Sequence, residues 1–72
     1  ANDTQLMKTL DIYLQEDCNI ARTTERLYVH RNTVKYRIKR IQELLGRDLH
    51  DINVKFNLQL AFKIRKFLGQ ES

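Results

Sequence analysis

Asn19-Ile-Ala-Arg-Thr-Thr-Glu-Arg-Leu-Tyr-Val-His-Arg-Asn-Thr-Val-Lys-Tyr-Arg-Ile-Lys-Arg-Ile-Gln-Glu-Leu-Leu-Gly46 is the stretch that decides how this 72-residue chain folds. It reads as two helices with a break between them. Asn19 suits the N-cap of the first, because its side-chain oxygen can accept an otherwise orphaned backbone N–H. Ile20, Thr24 and Leu27 then fall on the inward side of a short helix. Tyr28-Val29-His30 interrupts the pattern, and a longer helix runs from Arg31 to Leu45. Gly46 stops it, being the residue best suited to a left-handed C′ position. At about 100° per residue, Ile38, Ile41 and Leu45 lie within about 40° of Val34 and form a core stripe. Leu44 and Arg37 flank that stripe on one side and Arg31 on the other. The opposite face holds Asn32, Lys35, Tyr36 and Lys39, with Thr33 and Arg40 at its edge, and no acid falls between Arg31 and Ile41.

Two further helices enclose this pair. The first starts after Asn2 or Asp3 and places Leu6, Leu10, Tyr13 and Leu14 on one stripe, ending at Glu16-Asp17-Cys18. After a polar connector at Arg47–His50, Asp51 can cap a last helix from Ile52 to Leu68. Its inward residues are expected to be Phe56, Leu60, Ile64 and Phe67 or Leu68, with Gly69 closing it. Phe62 lies off that stripe, as a core residue or as an exposed contact to another domain or subunit. The expected fold is all-α: a compact bundle of four helices, about residues 4–16, 20–27, 31–45 and 52–68, containing a helix-turn-helix. No repeat or linker divides residues 1–72, so they read as a single domain.

Composition agrees. Proline is absent, glycine occurs twice and 42% of residues are hydrophobic, which suits a helical globule rather than a disordered tail. A chain this short buries only about 60% of its unfolded surface, leaving little room for a deep catalytic pocket. The net charge of +4 is unevenly spread. Residues 1–18 carry four acids against Lys8, a net of −3, whereas residues 22–40 carry seven cations against Glu25, a net of +6. That asymmetry points to an anionic partner met by the second and third helices. The lone Cys18 forms no internal disulfide, which fits a reducing cytoplasm, and no apolar run approaches the ~20 residues of a membrane span. The chain begins Ala1-Asn2-Asp3 without an initiator Met and is expected to be a piece of a longer protein.

The chemistry of the outward face is that of major-groove recognition. Arg and Lys reach guanine O6 and N7, Asn pairs with adenine N6 and N7, and hydroxyls bind phosphate. A recognition helix reads bases mainly with its N-terminal residues, here Arg31, Asn32, Lys35 and Tyr36, with His30 just before them. Asn19, Arg22 and Thr23, at the start of the short helix, are placed to meet phosphate, which the positive end of a helix dipole favours. Lys39 and Arg40 sit further along, suited to holding the DNA backbone.

This run, above all Val29-His30-Arg31-Asn32-Thr33-Val34 followed by Tyr36-Arg37, resembles the C-terminal DNA-binding domain of the PucR-type bacterial transcription regulators. Gly46-Arg47-Asp48-Leu49 and Leu58-Gln59-Leu60-Ala61 continue the likeness, which covers roughly residues 6–68. A more distant likeness is to the Fis-type helix-turn-helix. It implies base or phosphate contacts at His30, Arg31, Thr33, Lys35 and Tyr36. The PucR resemblance implies double-stranded DNA as partner and, by analogy, activation. The expected whole is a regulator that dimerises through regions outside this chain and senses a metabolite in a missing N-terminal part. One departure stands out. Many helix-turn-helix units have Gly in the turn where Tyr28 stands, and Tyr bears a steric penalty at positive φ, so either the turn is built differently or Tyr28 packs over the motif.

Blander readings bear on several of these residues. Arg37 flanks the core, as a structural residue (a pair with Glu25) or a phosphate contact. His30 is open between a cap and a DNA contact. Asp48, His50 and Asp51 resemble metal ligands but read better as a loop and a helix cap. Cys18 has no His close in sequence and is not read as a nucleophile. There is no Gly-rich phosphate loop, carboxylate pair or Ser/His/Asp pattern, so neither enzyme chemistry nor a cofactor is expected. A basic protein-interaction module and an RNA binder are the rival functions. The second is disfavoured by a face that offers only Tyr36 for base stacking.

Overall fold

The computed structural model describes residues 2–71, and the side chains of residues 4–69. It contains four helices among them: α1 Asn2–Gln15, α2 Ile20–Leu27, α3 Arg31–Leu45 and α4 Ile52–Glu71. The all-α bundle expected from the sequence is therefore the observed fold, and α2 and α3 have the expected limits. The outer helices run longer than expected. Helix α1 already includes Asn2 and Asp3, so neither precedes it as a cap, and α4 passes through Gly69 to Glu71.

Each end of the central pair is built by the residue the pattern singles out. Asn19 sits in an extended conformation and its Oδ1 accepts the Arg22 N–H at 2.9 Å. Gly46 adopts φ 65°, ψ 26°, and its N–H donates to the Gln42 carbonyl at 2.8 Å. Asp51 caps α4, its Oδ1 accepting the Asn53 N–H at 2.9 Å and the Val54 N–H at 3.3 Å. Asp48 accepts the His50 N–H at 2.8 Å. The two carboxylates thus do the turn and cap work expected of them.

The core gathers Leu10, Tyr13 and Leu14 from α1, Val34, Ile38 and Ile41 from α3, Phe62 from α4, and Leu49. Leu49 is wholly buried although it lies in the connector expected to be polar. Its N–H is held by Gln42 Oε1 at 2.9 Å, and burying such a side chain is worth about 1.5–3 kcal/mol. Leu45, expected in the stripe of α3, is 41% exposed and borders an apolar groove with Leu6, Met7 and Leu10 of α1.

The largest departure concerns α4. Its expected inward stripe, Phe56, Leu60, Ile64, Phe67 and Leu68, is on the outside, and Phe62 with the half-buried Val54 and Leu58 faces the core instead. The helix is apolar on two sides, so periodicity alone gives no means of choosing between them. Tertiary contacts decide: among the described residues α4 packs on α1, while α1, α2 and α3 all pack on one another. Lys66 pairs with Asp11 of α1 (3.2 Å) and Lys55 with Asp17 in the corner that follows α1 (2.9 Å).

Candidate nucleic-acid interface

The turn between α2 and α3 sets the angle at which α3 is presented. Tyr28 occupies the left-handed region, φ 56°, ψ 42°, and its N–H closes α2 on the Thr24 carbonyl at 3.0 Å. The turn is thus built in the way a glycine would build it. Tyr28 takes on the strain, and its ring is 93% exposed rather than packed over the motif. A non-glycine residue in this region costs about 1–2 kcal/mol. Half-buried Leu27 and Val29 anchor the turn from either side.

His30 caps α3. Its Nδ1 accepts the Asn32 N–H at 3.0 Å and its carbonyl accepts the Thr33 N–H at 2.9 Å. The ring proton of that tautomer is on Nε2, so the cap leaves one donor available. From this cap the expected face follows. Val34, Ile38 and Ile41 are buried, whereas Arg31, Asn32, Lys35, Tyr36, Lys39 and Arg40 are exposed and Thr33 is half-buried.

Four other basic side chains have work elsewhere or a partner at hand. Arg37 reaches back to α1, donating from Nη1 to Thr9 Oγ1 at 3.2 Å and from Nη2 to Gln5 Oε1 at 3.4 Å. It is structural, and its partners are these two residues rather than Glu25. Arg26 bonds Glu16 at 3.0 Å and Gln15 at 2.9 Å. Arg40 has a loose surface pair with Glu43 at 3.7 Å, worth little in water. Lys55 is bound to Asp17, whose carboxyl it lowers from its ordinary range through a hydrogen bond and its charge. The side chains of Arg22, Arg31, Lys35 and Lys39 form no ion pair or hydrogen bond among the described residues. These four supply the positive potential of the face.

At α2 the structure separates the three expected residues. Arg22 is exposed and Asn19 is exposed with its Oδ1 committed to the cap. Thr23 is wholly buried, and its hydroxyl donates to the Asn19 carbonyl at 2.7 Å. It holds the start of α2 and has no surface to offer a phosphate. Thr24, expected inward, is half-buried with its hydroxyl oxygen out of solvent, so the two adjacent threonines both turn toward the interior, Thr23 completely. Tyr28, which the sequence marks only by standing where glycine is usual, adds an exposed phenol next to this face.

A short capped helix, a left-handed turn and a second helix with a neutral core stripe and an acid-free basic face make this a helix-turn-helix domain of the kind that transcription regulators use to bind DNA. The chain belongs to the family of the PucR C-terminal helix-turn-helix domain, whose model matches residues 6–64. It is 44% identical over 67 residues to the purine catabolism regulatory protein of Bacillus subtilis, and 40% identical over 65 residues to that organism's proline-responsive transcriptional activator PutR. It is 33% identical over 63 residues to the carbohydrate diacid regulator of Escherichia coli. The matches cover 93%, 90% and 88% of this chain but 13%, 16% and 16% of the relatives' own lengths. No solved structure matches the chain significantly. Among the described residues no helix is long and apolar enough to cross a membrane.

Proposed function

We propose that this domain reads a specific duplex sequence by laying α3 in the major groove, with Arg31, Asn32, Lys35 and Tyr36 toward base edges. The observation that carries the reading is the capped N-terminus of α3, which projects four uncommitted polar side chains from a helix whose other face is locked in the core. Lys39 and Arg40 then meet one backbone strand. Arg22, Asn19 (through its amide N–H), Thr33 and the Nε2–H of His30 meet phosphates near the helix ends. Tyr28 joins them. A strained residue that the core does not hold is what a functional contact would retain, and its phenol stands immediately before the recognition helix.

The domain fits the C-terminal part of a longer cytoplasmic regulator whose remaining regions sense a metabolite. One of these relatives, PutR, is named a transcriptional activator, which favours activation. Such regulators act as two-fold pairs on half-sites about one helical turn, ~34 Å, apart.

Selection from a random duplex pool, followed by titration of the selected site at fixed salt, tests the reading. Arg31→Ala or Asn32→Ala should cost about 1–3 kcal/mol and relax the base preference at one position. Lys39→Ala should weaken every sequence alike. With three cations, Arg22, Lys39 and Arg40, set against phosphates, log K should fall against log salt with a slope of about −3 per domain. Affinity and preference unchanged by Arg31→Ala would show that α3 does not read the groove.

A further inference from the structure

Ile52, Phe56, Leu60, Ile64 and Leu68 follow one another at every fourth residue along α4, and all are exposed, by 75, 62, 46, 50 and 60%. Phe67, 61% exposed, widens the row. Side chains four apart form one of the continuous ridges by which helices interlock. A soluble helix turns such a ridge inward, yet here the inward side is already filled by Phe62, Leu58 and Val54. From the exposed fractions, the ridge with Phe67 presents roughly 600–700 Å² of apolar surface, at or beyond the largest patch of a typical monomer at ~300–600 Å². It approaches the ~800 Å² per partner that a standard specific interface buries.

We propose that this ridge pairs with the same ridge of a second copy of the chain, forming a two-fold dimer through α4. Three observations select that occupant. The area is what one side of a modest homodimer needs, and a two-fold interface requires a patch that is its own complement, as an uninterrupted i, i+4 ridge is. Interlocking two such ridges crosses the helices at about −50°. Charge permits it in a chain of net +4. The ridge has no charged member, and two of the cations of α4 are drawn away from it, Lys55 to Asp17 and Lys66 to Asp11. Arg65 lies with Lys66 along the groove that α4 forms with Thr4, Met7 and Lys8 of α1, leaving Lys63 as the flanking charge. Finally, α4 packs on α1 rather than on α2 or α3, so pairing through its outer side leaves Arg31–Lys39 of both copies uncovered. This pairing is additional to the dimerisation expected through regions outside the chain.

Sedimentation equilibrium of the chain from micromolar to millimolar concentration, without DNA, tests the pairing separately from the DNA reading. The expected result is a concentration-dependent dimer, with amide shifts on dilution centred on residues 52–68. The double variant L60E/I64E should return it to monomer at millimolar concentration with unchanged helical content, since both side chains lie outside the core. A monomer throughout would overturn the proposal and leave the ridge to another part of the regulator. A dimer whose dilution shifts map instead to Met7, Leu44 and Leu45 would overturn it too, and this second readout uses the unmodified chain.

Discussion

Residue by residue, the domain depends on a few backbone positions that hold side chains where L-residues rarely go. Asp17, Cys18 and Tyr28 all have positive φ, at 54°, 62° and 56°. The first two make the α1–α2 corner, where Cys18 Sγ lies 3.8 Å from the Leu49 carbonyl and burial pushes the thiol up from its ordinary pKa. Tyr28 is different because its side chain is free. Tyr28→Gly should therefore raise stability by about 0.5–1 kcal/mol in urea unfolding, the left-handed strain removed less the entropy glycine adds to the unfolded chain. The same variant should bind duplex DNA more weakly than the parent. Stabilisation without loss of affinity would show that the strain serves no contact. The sequence marks Tyr28 as an anomaly, but that it resolves by straining the backbone is visible only once Leu27 and Val29 are anchored on either side.

At the scale of the element, two glycines end or enter helices with opposite consequences. Gly46 is left-handed at C′ of α3 (φ +65°), whereas Gly69 lies within α4, where an added Cβ meets nothing within 4 Å. Gly46→Ala should cost about 1 kcal/mol in thermal unfolding from the conformation alone. Gly69→Ala should be neutral to stabilising, by up to about 1 kcal/mol, because alanine has the higher helix propensity. The sequence offers the same signal at both, a glycine after an apolar run, and is right only at Gly46. There Leu49 must turn back into the core at once, so α3 has to stop, whereas α4 continues through Gly69 to Glu71. The same contrast separates α3 from α4. One apolar stripe opposite one polar face is a unique instruction in α3, and two apolar sides are an ambiguous one in α4.

For the whole molecule, pH reports on packing. Tyr13, 2% exposed, has its phenol pushed up from 10.0 to about 12, first by burial and then by its neighbour Cys18. A group whose folded pKa is raised contributes stability that is complete below its unfolded value and lost as pH rises through its folded one. Alkaline titration should accordingly remove about 2–3 kcal/mol between pH 10 and about 12. Tyr13→Phe should flatten most of that loss, read from denaturant midpoints at successive pH values. At the acid end, Asp17 works in the opposite sense: its lowered pKa supports the fold above the ordinary carboxylate range and the support fades as pH falls through the lowered value. The sequence by itself determined the four helices, the Asn19 and Gly46 ends of the central pair, and which face of α3 is polar, because these follow from periodicity and hydrogen-bonding capacity within a few residues. Only the tertiary structure decided that Thr23 and not Thr24 is wholly inside, that Arg37 and Arg26 belong to α1 rather than to the interface, and that Phe62 is core while the ridge from Ile52 to Leu68 is surface. Each of those depends on which neighbour arrives at a side chain, and a helix with two plausible inner faces takes the one that its partner helix covers.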